Sequence, residues 1–201
     1  MTDIDYTYYS YRLCVGAYFE MPTVDAKGLL PGHLQPLEVQ HERSILAITA
    51  FHFTESMVGA YHEIVLSVVV PPVVEPGKPL PKAAFFPFMV GTTTEASRRH
   101  AIDRWHLPHF MSDLDIKFTE TEGVMNVHVL DQSNPVLDLE VTEFDFEPST
   151  NMYSCFTVGD GSRHRVNIFM QAPHTEHEEE LSLIHISEPT RPRLISYAVF
   201  C

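Results

Sequence analysis

The sequence predicts a mainly β protein, built as an antiparallel barrel or strongly bent sheet with at least one short helix at about residues 92–106. Three observations support this fold class. Several segments are rich in β-branched and aromatic residues, as strands are. Two pairs of these segments flank tight turns of the hairpin type. Only one segment carries both the start and the stop signals of a helix.

The strand candidates follow one another along the chain. SILAITAFHF (44–53) and YHEIVLSVVV (Tyr61–Val70) are apolar and β-branched, and the second is apolar on both faces, as expected for a buried central strand. AAFFPFMVG (83–91) is a third candidate, in which Pro87 favours an edge or a bulge. The remaining candidates are LDIKFTET and VMNVHVL on either side of Glu122-Gly123, the alternating segment VLDLEV, and MYSCFTV and RHRVNIFM on either side of Gly159-Asp160-Gly161-Ser162.

One segment has the signals of a helix. The segment is TTTEASRRHAIDRWH, in which Thr92 and Glu95 have the spacing of a capping box. Pro108 ends the helical pattern. Between the second and third strand candidates, PPVVEPGKPLPK (71–82) is rich in proline, which predicts a surface loop.

The charge balance argues against two classes of partner. The chain has 201 residues, with 13 Lys and Arg against 27 Asp and Glu and a formal net charge of −14. Nucleic acids and anionic membrane surfaces bind clustered basic residues, so we expect neither as a partner. The first residues lack the pattern of a signal peptide, and the three cysteines have no disulfide spacing. Both observations favour reduced thiols and a cytoplasmic location.

Residues 181–201 differ in composition from the rest of the chain. Their segments LSLIHISEPTR and ISYAVFC resemble, in one reading frame and at the expected spacing, the translated ends of a transposase-type sequencing adapter. We therefore expect a non-native tail here, with the natural sequence stopping at Glu180. The predicted domain is residues 1–180, incomplete at its C-terminal end.

Four segments carry a resemblance to a known family. They are LLPGHLQPLE (29–38), ESMVGAYHE (55–63), AIDRWHLPHF (101–110) and VGDGSRHRV (158–166), in this order within residues 26–172. Together they resemble the acetoacetate decarboxylase family. The resemblance implies a β barrel or cone with a small apolar pocket for a small organic acid, no cofactor, and a homo-oligomer. It also implies a pocket lysine that forms a Schiff base with a keto acid, whose iminium takes up the electrons released as carbon dioxide leaves.

The position of the family's nucleophile differs in this chain. The resemblance places His109 at the Schiff-base lysine and Phe110 at the second pocket cation. Imidazole has no primary amine, so it cannot form the imine. The resemblance also matches two acidic positions to Asp103 and Glu63, and a basic position to Lys27. Lys27 is the best replacement nucleophile among the remaining lysines, although a lysine of ordinary pKa is protonated and inert.

These matches define the candidate site. The catalytic candidates are His109, Glu63, Asp103 and Lys27, and the substrate-binding candidates are Phe110, Arg104 and Tyr61. His109 fits a general acid or base, a hydrogen-bond donor to a ligand carboxylate, or a structural histidine at a helix end. If Glu63 is buried on its apolar strand it needs a partner, for which Lys27, Arg104 and His109 are the candidates. Otherwise Glu63 lies at a solvated edge.

Three functional hypotheses follow. The first is a divergent small keto-acid lyase, of decarboxylase or aldolase type, that uses His109, Glu63 and Asp103 for acid–base chemistry and positioning. The second is a non-catalytic small-molecule binding protein of the same fold. The third is a metal-dependent lyase with His100, His106 and His109 as ligands. We favour one pocket imidazole and two surface imidazoles over this metal site, and therefore assign no metal ligand.

Overall fold

The computed structural model describes residues 7–110, 112–142, 147–174, 176–179 and 196–200, and it confirms the mainly β fold class. The strands are β1 (Ser10–Pro22), β2 (Arg43–Glu55), β3 (Tyr61–Val70), β4 (Ala83–Thr92), β5 (Leu114–Thr121), β6 (Val124–Asp131), β7 (Asn134–Thr142), β8 (Glu147–Gly159), β9 (Ser162–His174), β10 (Glu176–Glu179) and β11 (Ser196–Phe200). The helices are α1 (Thr23–Leu29) and α2 (Glu95–Trp105). Within these ranges, no helix has the length and apolar character that crossing a membrane requires.

The strands form two sheets. The larger sheet has the order β10-β11-β1-β2-β3-β4-β8-β9, and the smaller has the order β5-β6-β7. One pair departs from the predicted antiparallel pattern, because β4 and β8 run parallel. A parallel pair needs a long crossover between its strands, and here the crossover contains α2 and the whole smaller sheet.

The larger sheet bends without closing. Among the described strands β9 and β10 are its two edges, and β9 contacts β11 without a hydrogen-bonded ladder between them. The mainly β prediction therefore holds, whereas closure into a barrel is not observed in the ranges that the structure describes. Pro87 lies next to an irregularity in the β3–β4 register, as the sequence predicts for a proline within a strand.

Three hairpin turns have positive φ at both central residues. Glu122-Gly123 joins β5 to β6 with φ of 49° and 81°, and Asp160-Gly161 joins β8 to β9 with φ of 50° and 73°. Both hairpins agree with the sequence prediction, because glycine adopts positive φ without strain. The third turn, Gln132-Ser133 between β6 and β7, has φ of 47° and 71° and contains no glycine that would indicate it.

Helix α2 begins three residues later than the sequence predicts. Thr94 is its N-cap: Thr94 Oγ1 accepts a hydrogen bond from the Ser97 backbone N–H at 3.1 Å, and Ser97 Oγ accepts one from the Thr94 N–H at 3.3 Å. Thr92, the predicted cap, instead ends β4, where it pairs with Glu63. Both threonines have capping potential, and strand pairing takes Thr92 out of the helix.

The hydrophobic core lies between the two sheets. Alternate residues of three strands of the larger sheet meet the smaller sheet, and the buried set is Val15, Ala17, Phe19, Ile48, Ala50, Ile64, Ile116, Met125, Val127, Val129, Leu137, Leu139 and Val141. The intervening residues lie on the other face of the larger sheet. We call this surface the Glu63 face and define it by Phe51, Phe53, Tyr61, Glu63 and Thr92.

Part of the predicted tail lies in the larger sheet. Residues 196–200 form β11, which pairs antiparallel with residues 15–17 of β1 and with β10. The segment SYAVF is rich in residues that favour strands, which suits this position. The adapter origin of residues 181–201 stays a prediction, and residues 181–195 lie outside the described ranges.

Candidate active site

Glu63 lies among aromatic side chains on the Glu63 face. Cross-strand neighbours of Glu63 are Phe51 on β2 and Thr92 on β4. Tyr61 precedes it on the same face and pairs with Phe53, with ring centroids 4.9 Å apart. The Phe51 and Phe53 rings stack at 5.0 Å. Glu63 thus lies with its carboxyl beside an aromatic wall.

Partial burial changes the protonation of Glu63. Withdrawal from solvent raises the pKa of Glu63 from its ordinary 4.5 to about 7, because the charged form loses hydration. The Tyr61 hydroxyl donates to Glu63 Oε2 across a long 3.5 Å contact, which opposes part of the rise. Burial also raises the pKa of Tyr61, so its hydroxyl remains a proton donor. Near neutral pH the Glu63 carboxyl therefore exists in both protonation states.

His109 reaches the same part of the sheet from the segment after α2. This segment runs beside β4: the Phe110 N–H donates to the Val90 carbonyl at 2.6 Å, and the Val90 N–H donates to the Pro108 carbonyl at 3.2 Å. His109 Nε2 lies 2.9 Å from Thr92 Oγ1. Since Thr92 is the cross-strand neighbour of Glu63, both Glu63 and His109 adjoin Thr92.

The His109 imidazole has a lowered pKa, which favours its neutral form. Burial, and after it the charge of the Arg98 guanidinium, lowers the pKa of His109, although a backbone hydrogen bond with Phe110 opposes part of the shift. His109 Nδ1 is buried and has no hydrogen-bond partner among the described residues. A neutral imidazole in this position can donate or accept one further hydrogen bond from a bound molecule.

Arg98 is the cation of this site, and the sequence prediction missed it. Its side chain is only 14% exposed and pairs with Asp113 at 3.1 Å. Arg98 Nη2 also donates to the Ser112 carbonyl at 2.7 Å, while Nε is buried and has no partner in the described part of the chain. One sequence signal was available: Arg98 lies three positions before Ala101, so both fall on the helix face that packs inward.

A second group of polar side chains connects α2 to the aromatic wall. Trp105 Nε1 donates to the Tyr9 hydroxyl at 2.8 Å, and the Tyr9 hydroxyl lies 2.8 Å from His100 Nε2. The Tyr9 ring packs 5.1 Å from Phe53. Burial raises the pKa of Tyr9, and the nearby Glu63 carboxylate adds to the rise. Tyr9 was not predicted, because its partners lie more than ninety positions away.

Comparison with known proteins identifies the fold. No family model matches the sequence, and no curated protein matches it. Acetoacetate decarboxylase from Legionella pneumophila has a TM-score of 0.63 with 12% identity, over 96% of this chain and 82% of that chain. A second acetoacetate decarboxylase structure also has a TM-score of 0.63, with 11% identity over 98% of this chain and 86% of that one. The chain has the acetoacetate decarboxylase-like fold.

A third similar structure of the acetoacetate decarboxylase-like fold contains pyruvate. It is the enduracididine biosynthesis enzyme MppR, with a TM-score of 0.56 and 9% identity over 99% of this chain and 88% of that chain. MppR has also been solved with the condensation product of pyruvate and imidazole 4-carboxaldehyde. Identities of this size establish the fold alone.

Within the acetoacetate decarboxylase-like fold, four of the predicted residues lie away from the Glu63 carboxyl or in solvent. Asp103 is exposed on α2, and the Arg104 guanidinium lies over the Trp105 ring at 5.0 Å. Phe110 is 48% exposed. Lys27 is exposed on α1, the helix that packs beside Ser44 at the far end of β2. The distance along β2 from Ser44 to Phe51, the cross-strand neighbour of Glu63, is about 23 Å at the usual rise per residue of a strand.

The three histidines of the metal hypothesis make separate contacts. His100 bonds to Tyr9, His109 bonds to Thr92, and the His106 ring stacks on His164 with centroids 4.5 Å apart. Among the described residues, no group of three or more His, Cys, Asp or Glu side chains is arranged to hold a metal ion. The three imidazoles therefore have different partners in the described part of the chain.

Proposed function

We propose that this chain is a small keto-acid lyase, of decarboxylase or aldolase type, that works by acid–base chemistry without a Schiff base. One arrangement carries the proposal: the half-buried Glu63 carboxyl, with its pKa raised to about 7, lies beside Thr92, whose Oγ1 is also 2.9 Å from Nε2 of the neutral His109. A general acid or base is most effective when its pKa is near the working pH. The fold shared with acetoacetate decarboxylases and with pyruvate-bound MppR supports this class of substrate.

Glu63 is the proton-transfer group in this proposal. As a carboxylate it removes a proton from the carbon next to the keto group, which leaves an enolate on the substrate and the proton on Glu63. The protonated Glu63 then trades this proton for one from solvent, and delivery of the solvent proton to carbon completes the exchange. In a decarboxylation the enolate forms as the carbon–carboxylate bond breaks, and protonated Glu63 supplies the proton to carbon.

Tyr61 and His109 stabilise the enolate. The Tyr61 hydroxyl stays protonated, and the neutral His109 imidazole has Nδ1 free for one more hydrogen bond among the described residues. Hydrogen-bond donors that await developing negative charge in a partly dry site act more strongly than in water. Arg98 Nε, which is also buried and has no partner in the ranges that the structure describes, is the donor for the substrate carboxylate.

The experiment follows acetoacetate consumption and the exchange of pyruvate methyl protons in deuterium oxide by NMR. We expect the folded chain to exceed the buffer rate, and Glu63→Gln to lose about 100-fold or more of that excess. Glu55→Gln is the matched control, because Glu55 is exposed at the end of β2. Rates equal to buffer, or full activity in Glu63→Gln, would overturn the proposal.

Borohydride reduction followed by intact mass separates this mechanism from the Schiff-base mechanism. We expect no adduct with acetoacetate or pyruvate, since His109 stands at the position matched to the lysine. An adduct would restore the covalent mechanism, with Lys27 the first residue to map. Saturable binding of pyruvate without turnover would favour the alternative of a non-catalytic binding protein, which the loss of that lysine supports.

The proposal also covers the cellular location and the partners of the protein. We propose a reducing, cytoplasmic location, which the spacing of the cysteines and the free thiol of Cys155 support. The proposed partner is a small organic acid, with neither nucleic acid nor membrane as a partner, and self-association follows from the resemblance. Light scattering on the purified chain tests the self-association.

A further inference from the structure

A second cleft lies beside the candidate site and shares none of its residues. The end of α2, strand β4 and the β8–β9 hairpin enclose a volume of about 300 Å³. Its apolar walls include Pro87, Ile102 and Leu107, and its polar members include Thr157 and His106. None of Glu63, Tyr61, Thr92, Arg98 and His109 lines it. This volume is at the lower end of the range for small-molecule sites, so it suits a ligand of one ring.

Thr157 gives the cleft an unused hydrogen-bonding group. The residue is 3% exposed, and its Oγ1 has no partner among the residues that the structure describes. Buried hydroxyls are nearly always paired in folded proteins, because an unpaired one has lost its hydrogen bonds to water. A ligand hydroxyl that bonds to Thr157 Oγ1 would restore that pairing.

The wall formed by His106 is fixed before any ligand enters. His106 caps α2 with φ of 52°, and its ring stacks on His164 with an interplanar angle of 23°. His164 Nε2 in turn donates to the Gly159 carbonyl at 3.3 Å. Glycine at 159 is required for this packing, because a Cβ there would overlap the His106 ring. A preformed wall reduces the ordering that binding must impose.

The charges around the cleft select against anions. Asp160 is the one acidic residue of the lining, and the lining contains neither Lys nor Arg. A carboxylate ligand would lie near the Asp160 carboxylate with no Lys or Arg in the lining to offset it. The keto acid of the proposed function therefore does not suit this cleft.

We propose that this cleft binds a small uncharged aromatic molecule that carries one hydroxyl group. The ring packs against the apolar walls, and the hydroxyl pairs with Thr157 Oγ1. The proposal does not depend on the proposed function, since the two sites share no residue.

The experiment titrates phenol into the full chain and follows the methyl signals of Ile102, Leu107 and Val158 by NMR. We expect saturable shifts at these methyls and weaker shifts with benzoate, which has the same ring and a negative charge. Thr157→Val removes the hydroxyl at constant volume and should weaken phenol binding about two- to tenfold. Thr157→Ser keeps the hydroxyl and should bind phenol as the unchanged chain does.

A blocking variant tests the location. Ile102→Trp fills the cleft and should abolish the phenol shifts, whereas Ile168→Trp, at an exposed position on β9, should leave them unchanged. The proposal is overturned if the folded chain shows no saturable phenol shifts, if benzoate binds more tightly than phenol, or if Thr157→Val and Ile102→Trp bind as the unchanged chain does.

Discussion

At the scale of single residues, Glu63 combines two properties that oppose each other. It occupies a central strand, where burial favours apolar side chains, and it has a charge that burial makes costly. Functional groups often reduce stability in this way, because the site needs a perturbed group that packing alone would not select.

The stability of the fold should therefore depend on pH through Glu63. An acid with a higher pKa in the folded state binds more protons when folded, so the free energy of unfolding falls as pH rises from about 4.5 to about 7. We expect Glu63→Gln to stabilise the chain at pH 8 by on the order of 2 to 3 kcal/mol. The difference should shrink toward pH 4.5, which urea unfolding at several pH values checks. An equal difference at pH 5 and pH 8 would contradict this.

Gly159 provides a second test at this scale. In Gly159→Ala the added Cβ overlaps the His106 ring, which stacks on His164 and cannot move freely. We expect a loss of about 1 to 3 kcal/mol of stability, as for overpacking. Gly28→Ala is the control: nothing lies within 4 Å of its Cβ, and alanine suits helix α1. Thermal unfolding compares them, and equal melting temperatures for the two variants would argue against the stacked arrangement.

Glu63, Tyr61 and His109 were predicted as site residues, whereas their neighbours Arg98 and Tyr9 were not. Glu63 and His109 were both matched through the resemblance, and the apolar strand around Glu63 raised the question of its partner. Arg98 is held by a hydrogen bond to Asp113, 15 positions away, and Tyr9 accepts a hydrogen bond from Trp105, 96 positions away. Such contacts depend on how α2 packs against the sheet, which no local pattern encodes. Lys27 was matched in sequence, yet α1 lies at the opposite end of β2.

At the scale of elements, local sequence patterns predict the strands better than they predict where the helices begin. Tyr61–Val70 has the bounds that its sequence predicts, because the apolar run from Ile64 to Val70 is buried or half-buried throughout and Pro71 follows it. Helix α2 was displaced because Thr92 and Thr94 can both cap, and the pairing of Thr92 with Glu63 decides between them. Helix α1 was missed, since seven residues that include Gly28 carry a weak helical signal.

The Thr94 cap gives a direct test of α2. Thr94→Ala removes the acceptor for the Ser97 N–H, and we expect a loss of about 1 kcal/mol of stability. Thr94→Ser retains the hydroxyl and should recover most of it. Chemical unfolding measures both. If Thr94→Ala were as stable as Thr94→Ser, the helix would not depend on this cap.

At the scale of the whole molecule, the two sheets share one core. Ladders between distant strands set this arrangement: β4 and β8 pair in parallel around a crossover that holds the smaller sheet. Alternation within each strand predicts a buried face, but it does not indicate which sheet covers that face. The parallel pairing of β4 with β8 was therefore beyond the sequence patterns.

Truncation of the core should destabilise both sheets together. Met125 on β6 is fully buried between the sheets, whereas Met57 is 74% exposed. We expect Met125→Ala to cost about 2 to 5 kcal/mol and Met57→Ala to be close to neutral. We expect circular dichroism and tyrosine fluorescence to report the same single unfolding transition. Two separate transitions would mean that the smaller sheet folds independently.

The pH dependence of pyruvate methyl exchange in deuterium oxide tests most directly whether Glu63 is the proton-transfer group of this protein. We predict a rate above buffer that rises with pH around a midpoint near 7, the pKa to which burial raises Glu63, and a loss of that rise in Glu63→Gln. Exchange no faster than buffer at any pH, or the same midpoint in Glu63→Gln, would contradict it.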